Sequence, residues 1–304
     1  MASREFEELR RRLTATPVKG ETPIEDARAG FEALMAEYTP PEDTAGMIQE
    51  EVTAGAVPAH WVAAPHAYPE RVLLYLHGGG FTMGSVQSHL DILARLSGLL
   101  STRVLAIDYR LAPEHPFPAA LEDSVESFRW LIESGVDPTM VVIAGSSAGG
   151  GLALSTVLAL RDAMDPLPAA CVCLCPFFDM TLQSESLDYN KGKDWVTKDR
   201  VEAVVETYLA RADPRDPLAS PMFADLEGLP PIFIQVGGDE ILLDDSRRLA
   251  ARASASGIEV ELDIWPEMIH IWQLFAAAVP EGRAALEGIA DMLLHKIGGW
   301  GDTG

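Results

Sequence analysis

Candidate strands recur along the chain at Glu50–Ala54, His60–Ala64, Arg71–Leu76, Arg103–Ile107, Met140–Ala144 and Ala169–Cys175, most of them short apolar runs rich in Val, Ile and Leu. Most have the length and make-up of buried parallel strands. Between the later runs, near 86–100, 117–134 and 148–163, apolar residues recur at the three- and four-residue spacing of an amphipathic helix. Strand and helix in alternation build βαβ units and a sheet covered on both faces. The alternation breaks over about 178–225, a polar stretch with one helical pattern near 197–211. It resumes with strand Pro231–Val236, helix 240–256, strand Glu259–Ile264 and helix 281–297. The expectation is one α/β domain on a mostly parallel eight-stranded sheet, with the middle stretch inserted into it. Ahead of the first strand, Arg4–Leu13 and Ile24–Tyr38 read as amphipathic helices, the second with Phe31, Leu34 and Met35 on one face, and Pro40-Pro41 closes this part. Residues 298–304 read as a loose tail.

Composition narrows the picture. A chain of 304 residues, 48% hydrophobic and 23% charged, can bury one large core and is not of the disordered class. Its 46 acidic against 23 basic residues give a formal charge of −23. A field of that sign repels nucleic acid and anionic membranes. It favours neutral or cationic substrates unless a local basic pocket overrides it. Cys171, Cys173 and Cys175 alternate in one apolar run, so in a strand they face the same way as reduced core thiols. No zinc-type spacing accompanies them. The N-terminus, MASREFEELRRRL, has no signal-peptide core, and no run approaches a membrane span. The chain thus reads as soluble and cytoplasmic.

The chemistry concentrates at two glycine-rich turns. Strand Met140–Ala144 runs into Gly145-Ser146-Ser147-Ala148-Gly149-Gly150 and then a helix, which is G-x-S-x-G in its strand–turn–helix setting. A nucleophile on so sharp a turn needs small residues two before and two after it. Centring on Ser147 places Gly145 and Gly149 there, whereas centring on Ser146 places Ala144 and Ala148 there, so Ser147 is preferred. Strand Arg71–Leu76 runs into His77-Gly78-Gly79-Gly80-Phe81, a loop type whose backbone N–H groups receive an oxyanion together with the residue after the nucleophile, here Ala148. A rival reading takes Gly78, Gly80 and Gly84, with Asp108, as a dinucleotide fingerprint. Its third glycine is one residue out of place, and it leaves the serine turn unexplained.

A nucleophilic serine needs a base, and the base an orienting carboxylate, in the chain order Ser, Asp or Glu, His. Only His270 and His295 follow Ser147. His295 lies in the last helical pattern, while His270 follows a strand by a short loop, where sites form. For the carboxylate, Asp239 comes first after strand Pro231–Val236, and Asp244 and Asp245 read as capping or surface residues. Phe81, Met83, Trp195, Ile271, Trp272 and Phe275 are candidates for an acyl pocket or for plain core.

These motifs, in this order, resemble the bacterial hormone-sensitive-lipase family of α/β-hydrolases: His77–Phe81, then Asp108-Tyr109-Arg110-Leu111-Ala112-Pro113-Glu114, the serine turn, Asp239 with Leu242 and Asp244-Asp245, and His270. The resemblance implies an α/β-hydrolase fold and the triad Ser147, Asp239, His270. It also implies an oxyanion hole from Gly79, Gly80 and Ala148, with structural roles for His77 and the 109–114 run. Residues 1–45 and 179–222 would form a helical cap over a core of 46–178 and 223–304. The implied activity is hydrolysis of neutral short to medium esters or lactones, with no metal or organic cofactor, and with a homodimer left open. Amide hydrolysis and a non-catalytic receptor on the same fold are the alternatives, the receptor type lacking the histidine retained here. The family's usual serine turn is Gly-Asp-Ser-Ala-Gly-Gly, and Ser146 stands here in place of its Asp.

Overall fold

A computed structural model describes residues 2–15, 22–40 and 44–300. Eight strands form a single sheet: β1 (Ile48–Ala54), β2 (Val57–Ala63), β3 (Tyr68–Leu76), β4 (Thr102–Ile107), β5 (Val141–Ser146), β6 (Ala170–Leu174), β7 (Ile232–Gly237) and β8 (Val260–Trp265). Their spatial order is β1-β2-β4-β3-β5-β6-β7-β8. The β1–β2 and β2–β4 pairs are antiparallel and the rest parallel. The reversal of order around β3 opens a crevice at the carboxyl ends of β3 and β5, where ligands enter open α/β sheets.

The strand repeat of two sorts side chains between two cores. From β3, Val72, Leu74 and Leu76 enter one core and Leu73 and Tyr75 the other. Helices α4 (Ala119–Glu133), α5 (Ala148–Asp162) and α8 (Leu243–Ala255) fill the first core with residues such as Phe128, Leu154 and Leu249. Helices α1 (Arg4–Ala15), α3 (Leu90–Leu100) and α9 (Pro280–Lys296) fill the second with Phe6, Leu93 and Leu286. Helix α2 (Ile24–Ala36) buries Phe31 and Met35. In the 179–222 stretch lie α6 (Ser186–Tyr189) and α7 (Lys198–Leu209), the latter burying Val201, Val204 and Tyr208. No described helix is long and apolar enough to cross a membrane.

Three expectations change. The tail is not loose throughout: Trp300 is buried in the second core, while 301–304 lie outside the described residues, as does Pro41. The cysteines do not share one face. Cys171 and Cys173 pack into the first core, but Cys175 lies past the end of β6 at φ 47° and turns into the second. All three are free and buried. Asp245 is not at the surface. It is buried under the inserted stretch, where Oδ2 accepts from the N–H groups of Phe178 and Asp179 (both 3.1 Å) and Oδ1 from the Ser184 hydroxyl. Burial pushes its carboxyl up to about 7.

Candidate active site

The turn between β5 and α5 is as tight as its composition requires. A Cβ on Gly149 would lie 2.0 Å from Leu76 O, and one on Gly145 would lie 2.1 Å from Gly149 O, so only hydrogen fits at either place. Ser147 sits at φ 55°, ψ −120°, a conformation that costs a non-glycine residue about 1–3 kcal/mol. Its N–H donates to Leu174 O at 2.8 Å, which pins the turn to the neighbouring strand. Ser147 borders a cavity, while Ser146 is buried.

The glycine stretch of the loop after β3, Gly78–Gly80, is held by uncharged groups, while farther along Arg28 Nε donates to Thr82 O at 2.8 Å. Gly78 N–H donates to His89 Nε2 at 3.1 Å, which leaves the other ring nitrogen, Nδ1, to donate to Ser85 O at 3.1 Å. Burial pushes the His89 imidazole down to about 3 and also lowers His77, so both rings are neutral. His77 stacks on Tyr109 with centroids 4.1 Å apart, and Tyr109 Oη donates to His77 O at 2.8 Å. Gly79, at φ 116°, could carry no side chain, because a Cβ there would sit 2.1 Å from Met83 O. With Gly78 engaged by His89, the N–H groups of Gly79, Gly80 and Ala148 donate to no described acceptor. Asp108 accepts from Val86 N–H at 2.8 Å and so braces the segment after this loop.

His270 brings its two ring nitrogens to two partners. Nε2 is 2.8 Å from Ser147 Oγ, and Nδ1 is 3.1 Å from Glu240 Oε1. The expected partner, Asp239, is not the residue that meets His270. Its carboxylate is turned to the protein's edge, where it takes Arg10 Nη1 and Lys193 Nζ, each at 3.2 Å. The turn after β7 gives the reason. Glu240 Oε2 accepts from Gly237 N–H at 2.8 Å, so the longer side chain folds back under the strand end while its neighbour points away. Glu240 is fully buried.

A second buried carboxylate, Asp194, comes from the inserted stretch. Oδ1 accepts from the N–H groups of Trp195 (2.8 Å) and His270 (3.2 Å), and Oδ2 from Ile241 N–H (3.1 Å). One side chain thus ties the inserted stretch to both the Glu240 and the His270 loops. Burial pushes its carboxyl up to about 6. For His270, burial works against the charged ring. The hydrogen bond and charge of Glu240, together with the charge of Asp194, outweigh it and set the pKa above its ordinary value. Asn190 Nδ2 adds donations to Gly238 O and Glu240 O, and Trp195 Nε1 donates to His270 O at 2.8 Å. Sequence reading missed Glu240, Asp194 and His89. For Glu240 the signal was one residue away, in Gly237-Gly238-Asp239-Glu240.

One metal-compatible cluster occurs among the described residues: Cys175, Glu240 and His270, with ligand atoms within 4.8 Å of one another. A metal there would need the thiolate. Burial, then the Glu240 charge, pushes the Cys175 thiol well up, and its sulfur accepts from Ile271 N–H at 3.2 Å. Glu240 bonds the imidazole, and the neutral Cys175 bonds the backbone next to it.

The cavity above Ser147 encloses about 100 Å³, small against the roughly 300–1,000 Å³ of common ligand pockets. Of the apolar candidates, Met83, Trp195 and Ile271 line it. Phe81 stacks on Tyr208 instead, and Phe275 and Trp272 lie in the second core. Phe31 and Leu34 of α2 and Val201 and Val204 of α7 also line it.

Residues 73–274 match the family described as the alpha/beta hydrolase fold. The chain is 41% identical over 307 aligned residues to an acetyl-hydrolase of Streptomyces hygroscopicus, covering 99% of each. It superimposes on a crystal structure of an esterase from the bacterial hormone-sensitive lipase family with a TM-score of 0.93. That match has 42% identity and covers 98% of this chain and 100% of the other. A crystal structure of EstE5 soaked with p-nitrophenyl butyrate matches with a TM-score of 0.92 and 38% identity, covering 98% and 99%.

Proposed function

Because this chain belongs to the α/β-hydrolase fold family, in its bacterial hormone-sensitive-lipase branch, we propose that it hydrolyses carboxylic esters through an acyl-enzyme on Ser147. The observation that carries the reading is the contiguous chain Ser147 Oγ, His270, Glu240, with contacts of 2.8 and 3.1 Å. In this mechanism His270 Nε2 takes the Ser147 proton as Oγ attacks the ester carbonyl. The oxyanion is received by the N–H groups of Gly79, Gly80 and Ala148, a contribution of roughly 3–4 kcal/mol for a well-placed donor. His270 returns the proton to the leaving alcohol. Water, deprotonated in turn by His270, then attacks the acyl carbonyl; the bond to Oγ breaks, the acid leaves and His270 returns the proton to Ser147 Oγ. Glu240 orients the ring and stabilises its charged form, the role expected of Asp239 from sequence.

Helices α1 and α2 and the 179–222 stretch act as a cap over the core of residues 46–178 and 223–304. The small cavity supports short acyl groups or compact lactones, and the Streptomyces relative's name, acetyl-hydrolase, agrees with a short acyl group. The test is a p-nitrophenyl ester series from C2 to C12, with ε-caprolactone, on wild type and Ser147→Ala. Activity should peak among the short esters and fall about 10⁵–10⁶-fold in the variant. Full activity in Ser147→Ala with loss in Ser146→Ala would overturn the assignment.

A further inference from the structure

Arg200 lies in the first turn of α7 and lines the same cavity as Ser147 and His270. Its residue exposure is 9%, yet no described carboxylate is paired with it. Its Nε has no partner among the described residues and is shut away from solvent. Among the described residues the guanidinium makes two long contacts, both from Nη2: 3.4 Å to Thr82 Oγ1 and 3.8 Å to Met83 Sδ. Other arginines around the site are matched differently. Arg10 has Asp239, Arg28 has Glu114, Arg110 has Asp123 and Arg248 has Asp179. Burial alone acts on Arg200, lowering its pKa, with no opposing anion.

A buried guanidinium with unfilled donors is costly unless something negative completes it. The planar fork suits a carboxylate, and the surrounding wall is apolar, so a paired anion would be shielded from water. Among the described residues that line the cavity, Arg200 and His270 are the only basic ones, and His270 is committed to Ser147 and Glu240. Thr82 connects Arg200 to the loop that receives the oxyanion, since its hydroxyl donates to Gly79 O at 3.3 Å. Because Arg200 and Ser147 line one cavity, a molecule reacting at Ser147 can also reach Arg200.

We propose that Arg200 determines specificity by binding a carboxylate carried by the ester substrate, so that the preferred substrates are acidic esters. The inference rests on the ester-hydrolase reading above. It runs against the long-range field of a chain with net charge −23, but that field is screened over about 8 Å at physiological salt. Inside the cavity the near cation governs.

The test compares each acid with its uncharged amide of the same shape. On the acyl side the pair is monoethyl adipate and ethyl adipamate; on the alcohol side it is 4-acetoxybutyrate and 4-acetoxybutyramide. Hydrolysis is followed by pH-stat, with p-nitrophenyl acetate as the reference ester. In wild type at least one pair should show a kcat/KM ratio of about tenfold or more in favour of the acid. That ratio should collapse toward one in Arg200→Met and be partly kept in Arg200→Lys. Each ratio is internal to one protein, so altered yield does not affect it. If Arg200→Met does not fold, the wild-type and Arg200→Lys ratios still decide. Equal rates for acid and amide in both wild-type pairs overturn the proposal, as does a preference unchanged in either variant. Hydrolysis of p-nitrophenyl acetate without any acid preference removes the role of Arg200 alone, while failure to hydrolyse any of these esters removes the ester reading as well.

Discussion

The glycine stretch after β3 and the paired loops after β7 and β8 flank the same serine, but they are held by opposite means. Around Gly78–Gly80 the supports are neutral: two histidines that burial keeps uncharged, a tyrosine hydroxyl and glycines where a Cβ would strike backbone. Around Glu240 and His270 the supports are carboxylates, Glu240 and Asp194, both buried and both acting on one imidazole. The first arrangement fixes backbone donors whose geometry does not vary with pH. The second fixes an imidazole that, in the proposed mechanism, gains and loses a proton, and its carboxylates raise the pKa of that imidazole. Shape should dominate mutational effects on one side and charge on the other.

The sharpest break in this comparison comes from the two adjacent carboxylates. Glu240→Gln keeps the size and the Gly237 acceptor but presents an amide to His270 Nδ1, so kcat should fall about 10³–10⁴-fold. Asp239→Asn removes only partly exposed ion pairs with Arg10 and Lys193, worth about 0–1 kcal/mol, and kcat should stay within about threefold. Steady-state kinetics on p-nitrophenyl acetate check both. Comparable losses in the two variants would return the orienting role to Asp239.

On the neutral side the largest effect should be steric. Gly79→Ala places a methyl 2.1 Å from Met83 O at φ 116°, so the loop must move and its donors with it. The expected loss in kcat is about 10²–10³-fold, that of one oxyanion donor. The acid limb of the pH–rate profile should keep its position, because no charge near His270 changes. A shifted limb in Gly79→Ala would show that the two supports are not separable.

What the sequence could reveal follows the same division. β2 to β7 were visible because burial on one or both faces leaves an apolar record, whereas β1 is largely exposed and β8 only half-buried; chain order led to Ser147 and His270, which meet at 2.8 Å. The choice between Asp239 and Glu240 left no such record. It depends on a backbone N–H that recaptures the longer side chain and on an arginine 229 residues away that draws the shorter one outward. Asp194 and Arg200 were hidden for a related reason. They lie in a stretch whose polar composition suggests solvent, yet both are buried against the site. His89 likewise falls within a helical pattern, and only the path of the preceding loop makes its Nε2 the acceptor for Gly78.

The smallest of the three effects is the most specific to charge. His270 must be neutral to take the Ser147 proton, so activity is lost as pH falls through its pKa. Although burial opposes the charged ring, the carboxylates hold that pKa above the ordinary 6.5, and the acid limb of kcat/KM should lie above that pH. Asp194, with its own carboxyl at about 6, is largely ionised where His270 titrates and favours the imidazolium. Asp194→Asn removes one negative charge, lowers the His270 pKa and moves the acid limb toward lower pH. It also weakens the acceptors for the Ile241 and His270 N–H groups, charge-assisted bonds worth about 1.5–3 kcal/mol each. If these hold the loops in register, plateau kcat should drop about tenfold. The groups facing the ring are Glu240, Asp194, Cys175 and Ser147, so Cys175→Ser serves as the uncharged control and should leave the limb in place. A loss of rate in Asp194→Asn without displacement of the limb would make Asp194 a brace only, and the charged side of the site would then rest on Glu240 alone.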